Sequence, residues 1–443
     1  MFVNRKLQIA SVILGLVTIT CVKSGFAQED IFSPGMPSGP GARAMAMGGA
    51  YASVGGDYSA SWWNPAALRG IRRVEFYGSM SHLKRDNDFG LINNLSAFTN
   101  TTDKNEDRFT RLNDFGIAYP LPTDRGSLVF SFGFNRVKSY DSNLKFETFN
   151  QTEGDSVNQA WRELEDGTLN TWTLAGAMDI SPNVSLGVGL NFWQGGSDFE
   201  STFREQDRDD IYTFDAFTNE QTLNTDITGF NAKFGGLFRM GKMLHLGVTV
   251  STPVTFNVEE EWSTFDETLF DDDTFADSLD SGVFEYDIKS PWSFTGGASL
   301  HFLNLVVSAE AEYNDWTQIE YKSQPPVDGL TEASANRLIE DNYRATTRIR
   351  LGAEFMLPLT GLSFRAGYFK DPSIFEDVDD EEDKEFYSAG VGFLIDKQVK
   401  LDVAYIYGTW KRFNTGLSGS NDVRDYVEDI ETHTAMVSLA FRF

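Results

Sequence analysis

The residues of this chain that could do chemistry are placed for pairing and lining rather than for bond making. A hydrolase built on a nucleophilic serine needs a histidine in contact with it and a third group to orient that histidine. Only His82, His245, His301 and His433 are available, and no Gly-x-Ser-x-Gly elbow occurs, since Gly416-Leu417-Ser418-Gly419-Ser420 has the wrong register. We therefore expect no enzyme, no catalytic residue, no cofactor and no metal centre. The charged residues follow a different rule. Glu310 and Glu312 alternate with Val307, Ala309, Ala311 and Tyr313; Arg348, Arg350 and Glu354 alternate with Ile349, Leu351, Ala353 and Phe355; Arg365, Lys400 and Asp402 continue the pattern. Period-two alternation puts charge on one face of a strand and apolar groups on the other. Neighbouring strands then bring Glu310 and Glu312 within pairing distance of Arg348, Arg350 and Arg365. Such a set fills a wall as an ion-pair ladder, or forms a charge ring that selects what passes.

Acid dominates elsewhere. The formal net charge is −28, which argues against nucleic acid as a partner because no basic patch exists to neutralise phosphates. The stretch from Glu259 to Glu285 carries eleven carboxylates and no Lys or Arg, and Asp371 to Glu385 is similarly acidic. Neither has the spacing of a twelve-residue calcium loop. They suit a solvated outer surface, with lipopolysaccharide and outer-membrane lipid as neighbours that divalent cations could bridge. Phe265, Leu269, Phe270 and Phe275 interleave with the first acidic run. They form either an apolar capture site for a ligand or a packing face for the loop.

The elements that must carry these residues are strands. Leu128, Phe130, Phe132 and Phe134 alternate with Val129, Ser131, Gly133 and Asn135; Leu186, Val188, Leu190 and Phe192 alternate with Ser185, Gly187, Gly189 and Asn191. Short turns fall at Leu121 to Arg125, Ser181 to Asn183, Met240 to Met243, Phe302 to Asn304, Pro358 to Gly361 and Asp396 to Gln398. Between them lie long polar connections at 84–113, 139–168, 196–221, 257–285, 317–343, 370–384 and 411–430. Six turns strictly alternating with seven long connections join fourteen strands, the asymmetry of an outer-membrane barrel. The chain ends on an alternating strand with Val437, Leu439, Phe441 and Phe443. A terminal Phe of this kind resembles the signal read by the bacterial barrel-assembly machinery. At the other end, Arg5 and Lys6, the apolar run Ile9 to Thr20 and Gly25-Phe26-Ala27 read as a cleaved signal peptide; lipoprotein processing at Cys21 is the rival. The expectation is an all-β, transmembrane antiparallel β-barrel of about 14 strands in the bacterial outer membrane, with a signal peptide at 1–27, an N-terminal hatch (plug) inside the barrel at 28–72 and the barrel at 73–443.

The segment 28–72 differs from the rest. Ser33-Pro34-Gly35-Met36-Pro37-Ser38-Gly39-Pro40-Gly41 cannot be a central strand. Ala42 to Met47 reads as a short helix stopped by Gly48-Gly49, and Pro65 stands where a helical turn could begin. Gly41-Ala42-Arg43-Ala44-Met45-Ala46-Met47-Gly48-Gly49-Ala50-Tyr51-Ala52, followed by Trp63-Asn64-Pro65-Ala66, resembles the N-terminal hatch of FadL/TodX-type outer-membrane transporters. Phe230-Asn231-Ala232-Lys233-Phe234-Gly235-Gly236-Leu237, with Leu246-Gly247-Val248 and Ser251-Thr252-Pro253-Val254, resembles a mid-barrel stretch of the same family. The resemblance implies passive uptake of a hydrophobic small molecule, such as a long-chain fatty acid or an aromatic hydrocarbon. The ligand would be captured outside, bound in the lumen and released sideways past the hatch, with Gly48, Gly49, Asn64, Pro65 and Ala66 as hatch residues. PorV-type barrels share the Gly-Gly-Ala and Asn-Pro-Ala pattern but act as protein-secretion shuttles, which keeps an interaction role open as the alternative.

Overall fold

Outward apolar side chains alternating with small or polar inward ones run through nearly every strand, and this alternation closes into a barrel. The computed structural model of the chain describes residues 39–92, 103–152, 155–327, 329–376, 378–396, 398–415 and 425–443. The expected signal peptide and the Gly416 to Ser420 stretch lie outside them. The strands are β1 (Glu75–Ile92), β2 (Asp103–Leu121), β3 (Leu128–Ser139), β4 (Ser142–Thr152), β5 (Asp155–Ser181) and β6 (Val184–Asp207). They continue with β7 (Phe214–Met240), β8 (Leu244–Ser251), β9 (Thr255–Phe270), β10 (Phe275–Lys289), β11 (Ser293–Phe302) and β12 (Leu305–Asp315). The last six are β13 (Glu320–Tyr321), β14 (Ala345–Met356), β15 (Leu362–Asp371), β16 (Lys384–Ile395), β17 (Val399–Thr415) and β18 (Asp425–Arg442).

These segments make fourteen staves. β3 and β4 successively pair along β5, β8 and β9 along β7, and β10 and β11 along β9 and β8. β13 is a two-residue patch on β10. Every pairing is antiparallel, and β18 closes on β1 from Glu75↔Arg442 to Ile92↔Asp425. Arg442 Nε also lies 2.6 Å from Glu75 Oε2 at that junction. Prolines explain two of the interruptions. Pro253 separates β8 from β9 and Pro291 separates β11 from β10 at the same level, and proline cannot donate to a ladder.

The outward face is an apolar belt: Phe76, Phe132, Val188, Phe234, Leu351 and Phe441 are each 40–50 % exposed. No helix among the described residues is long and apolar enough to cross a membrane; the strands do so instead. All six expected short turns fall between strands at one end of the barrel.

The long connections differ from expectation. Much of 84–113, 139–168, 196–221, 257–285 and 411–430 is strand: β6 and β7 continue to Asp207 and from Phe214, and β9 and β10 to Phe270 and from Phe275. Polarity there marks where a strand leaves the lipid, not where pairing stops. About ten residues cross a bilayer, whereas β5 and β7 are each 27 residues long. The 317–343 connection instead carries a helix, α3 (Glu332–Asn342), started by a Thr331–Ser334 capping box. Ala335 and Ile339 of that helix pack on Val258, Tyr286, Ile288 and Tyr321.

Candidate functional site

Inside the barrel lies the chain from Gly39 to Arg73. It forms α1 (Ala42–Ala46), α2 (Ala60–Trp63) and a 3-10 turn (Pro65–Gly70). Helix α1 packs against β15 to β18, while the 3-10 turn packs against β3, β5, β6 and β7. Those two strand groups face each other across a fourteen-stave barrel, so the segment spans its interior. Ala42, Ala46, Met47, Tyr51, Asn64, Ala66 and Leu68 are fully buried. The small residues of this segment allow the close approach to the wall.

Glycines on the wall make the fit. A Cβ on Gly235 would lie 2.1 Å from Asn64 Oδ1, one on Gly187 2.3 Å from Ala66 N, and one on Gly247 2.2 Å from Ala52 O. On the opposite side, a Cβ on Gly367 would lie 2.0 Å from Gly48 N. Gly48 and Gly49 adopt φ of 61° and 71° and end α1 as expected. Asn64 ties the segment to itself and to the wall: its Nδ2 donates to Ala52 O (2.7 Å) and Gly236 O (3.1 Å), and its Oδ1 accepts from Ala66 N (3.0 Å). Pro65 begins the 3-10 turn. The two sequence stretches that carried the family resemblance, one before the barrel and one within it, are therefore in contact. The inward Gly187 and Gly189 of β6 and Gly247 of β8 were a visible signal of that contact, though only the structure identifies what they face.

The charged residues pair as their alternation predicts, and the pairing extends further. Glu310 lies opposite Arg350 and Glu312 opposite Arg348 in the β12–β14 register, and Glu354 lies opposite Arg365 between β14 and β15. The ion pairs are Arg350–Glu310 (2.8 Å), Arg350–Glu312 (2.7 Å), Arg348–Glu312 (3.3 Å), Arg365–Glu354 (2.6 Å) and Arg365–Asp402 (2.9 Å). The last skips over Gly392 of the intervening β16. The N-terminal segment completes the set. Arg43 makes a two-pronged contact with Glu354, at 2.8 Å for both Nε and Nη2. Glu310 Oε2 accepts the backbone N–H groups of Tyr51 (3.0 Å) and Ala52 (2.8 Å). Asp57 accepts from Tyr51 Oη (2.8 Å) and Ser59 Oγ (2.6 Å) and lies 3.4 Å from Lys400 Nζ. Burial alone would raise the Asp57 carboxyl, but Lys400 and Arg43 hold it well below the usual range. The arrangement is that of an ion-pair ladder that the segment plugs into, a partner set that spacing along the strands could not reveal.

The four residues read as a capture site or a packing face lie on strands rather than on a loop. Phe265, Leu269 and Phe270 belong to β9 and Phe275 to β10, whose pairing runs to Phe275↔Leu269. Phe256, Val258 and Glu260 point inward and are buried, so odd-numbered Phe265 and Leu269 point outward together with Phe275, and Phe270 points inward beside Phe214. The extended alternation of the hairpin sets these directions. Among the histidines, His301 Nε2 lies 3.1 Å from Ser299 Oγ, which also lies 3.2 Å from Ser53 O under the N-terminal segment.

A feature absent from the sequence reading lies between β2 and the β3–β4 stave. Their ladder covers only Asp114↔Asn135 to Leu121↔Leu128. Beyond that pair, no backbone ladder joins them among the described residues. Both lips carry a register shift where pairing ends, β2 against β1 at Asn113 and β3 against β5 at Val137, as expected of bulges that re-aim a strand. The inner side of this seam borders a small recess, open in part to solvent. Leu83, Phe109, Phe386, Ile406, Met45 and Met436 give it apolar walls, and Arg111, Arg136, Asn113 and Asp141 give it a polar end. On the outer side, Phe115, Phe132, Phe134 and Trp172 pack in stacked and edge-on pairs with ring centroids 5.4–5.7 Å apart.

A barrel of fourteen staves, threaded by a glycine-seated N-terminal segment, matches one family model over residues 27–443: outer membrane protein transport protein (OMPP1/FadL/TodX). The chain belongs to that family. Solved structures agree in fold. A Pseudomonas aeruginosa FadL homologue is 14% identical at a TM-score of 0.61, covering 93% of this chain and 99% of its own. The Pseudomonas putida toluene transporter TodX is 14% identical at 0.61, with 92% and 99% covered. The Ralstonia pickettii toluene transporter TbuX is 13% identical at 0.56, with 92% and 99% covered. No curated protein sequence matches the chain. As an OMPP1/FadL/TodX protein it is an outer-membrane transport protein.

Proposed function

We propose that this barrel takes up hydrophobic molecules passively, holds them in the recess beside β2, and releases them sideways through the seam above Asn135. The observation that carries this reading is the coincidence of three things at one place: an apolar recess, a wall without backbone hydrogen bonds, and an aromatic cluster on the lipid side. Within the lipid each strand edge must be paired; the seam begins where β2 and β3 pass into their polar extensions, so an unpaired edge is tolerated there and can serve as a route. The N-terminal segment acts as the hatch that keeps water and ions from following. Long-chain fatty acids and aromatic hydrocarbons, the latter carried by the toluene transporters TodX and TbuX, are the two candidate ligand classes.

A reversible lock tests this. Asn143 Nδ2 reaches Asp107 Oδ1 across the seam (3.1 Å), so the double variant Asp107→Cys/Asn143→Cys places two thiols on facing lips. The expected result is uptake of radiolabelled palmitate or toluene that is blocked when the pair is oxidised and restored by reductant. Unchanged uptake by the oxidised protein rejects the lateral route. Co-purification with a secreted protein and no uptake of either compound would instead make the barrel a shuttle.

A further inference from the structure

The two lips of the seam are joined by side chains, and one residue dominates the join. Arg111 of β2 contacts Asp141, in the short link between β3 and β4, through both carboxylate oxygens (Nη2–Oδ1 2.7 Å, Nε–Oδ2 3.0 Å). It also reaches Asp166 of β5 (2.7 Å). Asp141 is held on its own lip by Ser139 Oγ (2.7 Å). Weaker polar contacts continue along the seam, from Asn143 to Asp107 and from Asn105 Nδ2 to Lys145 O (3.2 Å). A two-pronged guanidinium–carboxylate contact is the strongest of these, in energy and in directional fit.

The same ion pair is also the polar end of the recess. Arg111, Arg136 and Asp141 all line it, opposite the apolar side chains of Leu83, Phe386 and Ile406. A ligand occupying this space with its chain against the apolar walls brings its head group to Arg111 and Arg136. A neutral hydrocarbon has nothing to offer there. An anionic head can take the place of Asp141 on Arg111 with no change in net charge at that guanidinium. Asp141 would keep Ser139 and turn to water as the lip moves.

We propose that the Arg111–Asp141 pair latches the seam and that an anionic amphiphile, a carboxylate-headed one in the simplest case, opens it by displacing Asp141. The displaced contact couples occupancy of the recess to release, so a matching ligand loosens its own exit. This rests on the lateral route proposed above, and it makes head-group charge, rather than chain length alone, the property that decides passage.

The test compares palmitate with hexadecanol, equal in chain length, in proteoliposomes containing the full barrel. The wild type should favour palmitate. Arg111→Ala removes both latch and head-group contact; because a hydrogen bond to a charged group contributes about 1.5–3 kcal/mol, the palmitate-to-hexadecanol rate ratio should fall roughly tenfold or more. Asp141→Asn unlatches but leaves Arg111, so hexadecanol passage should rise several-fold while palmitate is still favoured. Arg111→Lys, which keeps the charge, should retain part of the preference, separating recognition from loss of fold. An unchanged ratio in Arg111→Ala, or no gain for hexadecanol in Asp141→Asn, overturns the latch while leaving the lateral route standing if the oxidised cysteine pair still blocks uptake. If that pair does not block, both readings fail.

Discussion

The β6–β7 wall and the β2–β3 wall face the same interior but are joined in different ways. The first is an unbroken ladder from Val184↔Phe238 to Gln206↔Ala216, and its glycines let the N-terminal segment sit backbone against backbone. The second stops pairing at Asp114↔Asn135 and is bridged above that level by arginine, aspartate and asparagine side chains. A ladder fixes both partners to one geometry, and breaking it exposes N–H and C=O groups that lipid cannot satisfy. Side-chain bridges can turn away one by one, each finding water or another partner. The same barrel thus has a wall that anchors and a wall that can yield.

The largest effect should come from the anchored side. Arg43→Ala leaves Glu354 and Asp57, buried at 2 % and 0 % exposure, short of a cation, and removing one partner of such a set costs about 3–5 kcal/mol. Lys400 and Arg365 remain nearby and reduce that figure. The expected outcome is a barrel that still folds but whose N-terminal segment undocks, seen as frequent open events in planar-bilayer conductance. A silent bilayer would mean the ladder does not hold the hatch. Gly235→Val should act at the other anchor. Its Cβ alone would stand 2.1 Å from Asn64 Oδ1, and overpacking of this kind costs about 1–3 kcal/mol. It should expose Arg69 and the chain around it to trypsin, while Gly241→Val, at a turn with nothing within 4 Å of its Cβ, should not alter cleavage, apart from the strain of its own positive φ.

Much of this was legible in the sequence because period-two patterning is local. The turns, the stave count, the inward direction of Glu310, Glu312, Arg348, Arg350 and Arg365, and the helix stop at Gly48-Gly49 all follow from neighbours along the chain. What was not legible depends on contacts between distant segments. Nothing near Glu354 in sequence announces Arg43, 311 positions away, and nothing near Gly235 announces Asn64. The seam was hidden for a second reason: β2 and β3 alternate well beyond the point where they part, since each remains paired on its other edge, β2 with β1 and β3 with β5. Alternation reports that a strand has two faces; it does not report whether both edges are paired. The acidic hairpin shows the converse, where polar composition concealed regular strands.

The smallest effect is the most discriminating, because it sets equal deletions on the two walls against each other. Asn143→Ala removes the hydrogen bond to Asp107 across the seam, and Asn191→Ala removes a side-chain hydrogen bond of similar length, Nδ2 to Asn231 Oδ1 at 3.0 Å, on the anchored wall. Asn191 is buried and also accepts from Thr173, so its loss should lower stability by about 1 kcal/mol and leave ligand exit alone, because the β6–β7 ladder still closes that wall. Asn143 is half-exposed, so its loss should scarcely change stability. Where a seam is held only by side chains, however, the same missing hydrogen bond lowers the barrier to parting, and exit of bound ligand should quicken about two- to fivefold. Stopped-flow release of a fluorescent fatty acid, paired with thermal unfolding of each variant, reads both quantities. If the two substitutions change exit equally, the walls do not differ in function, and the absence of a ladder above Asn135 is a feature of strand geometry alone.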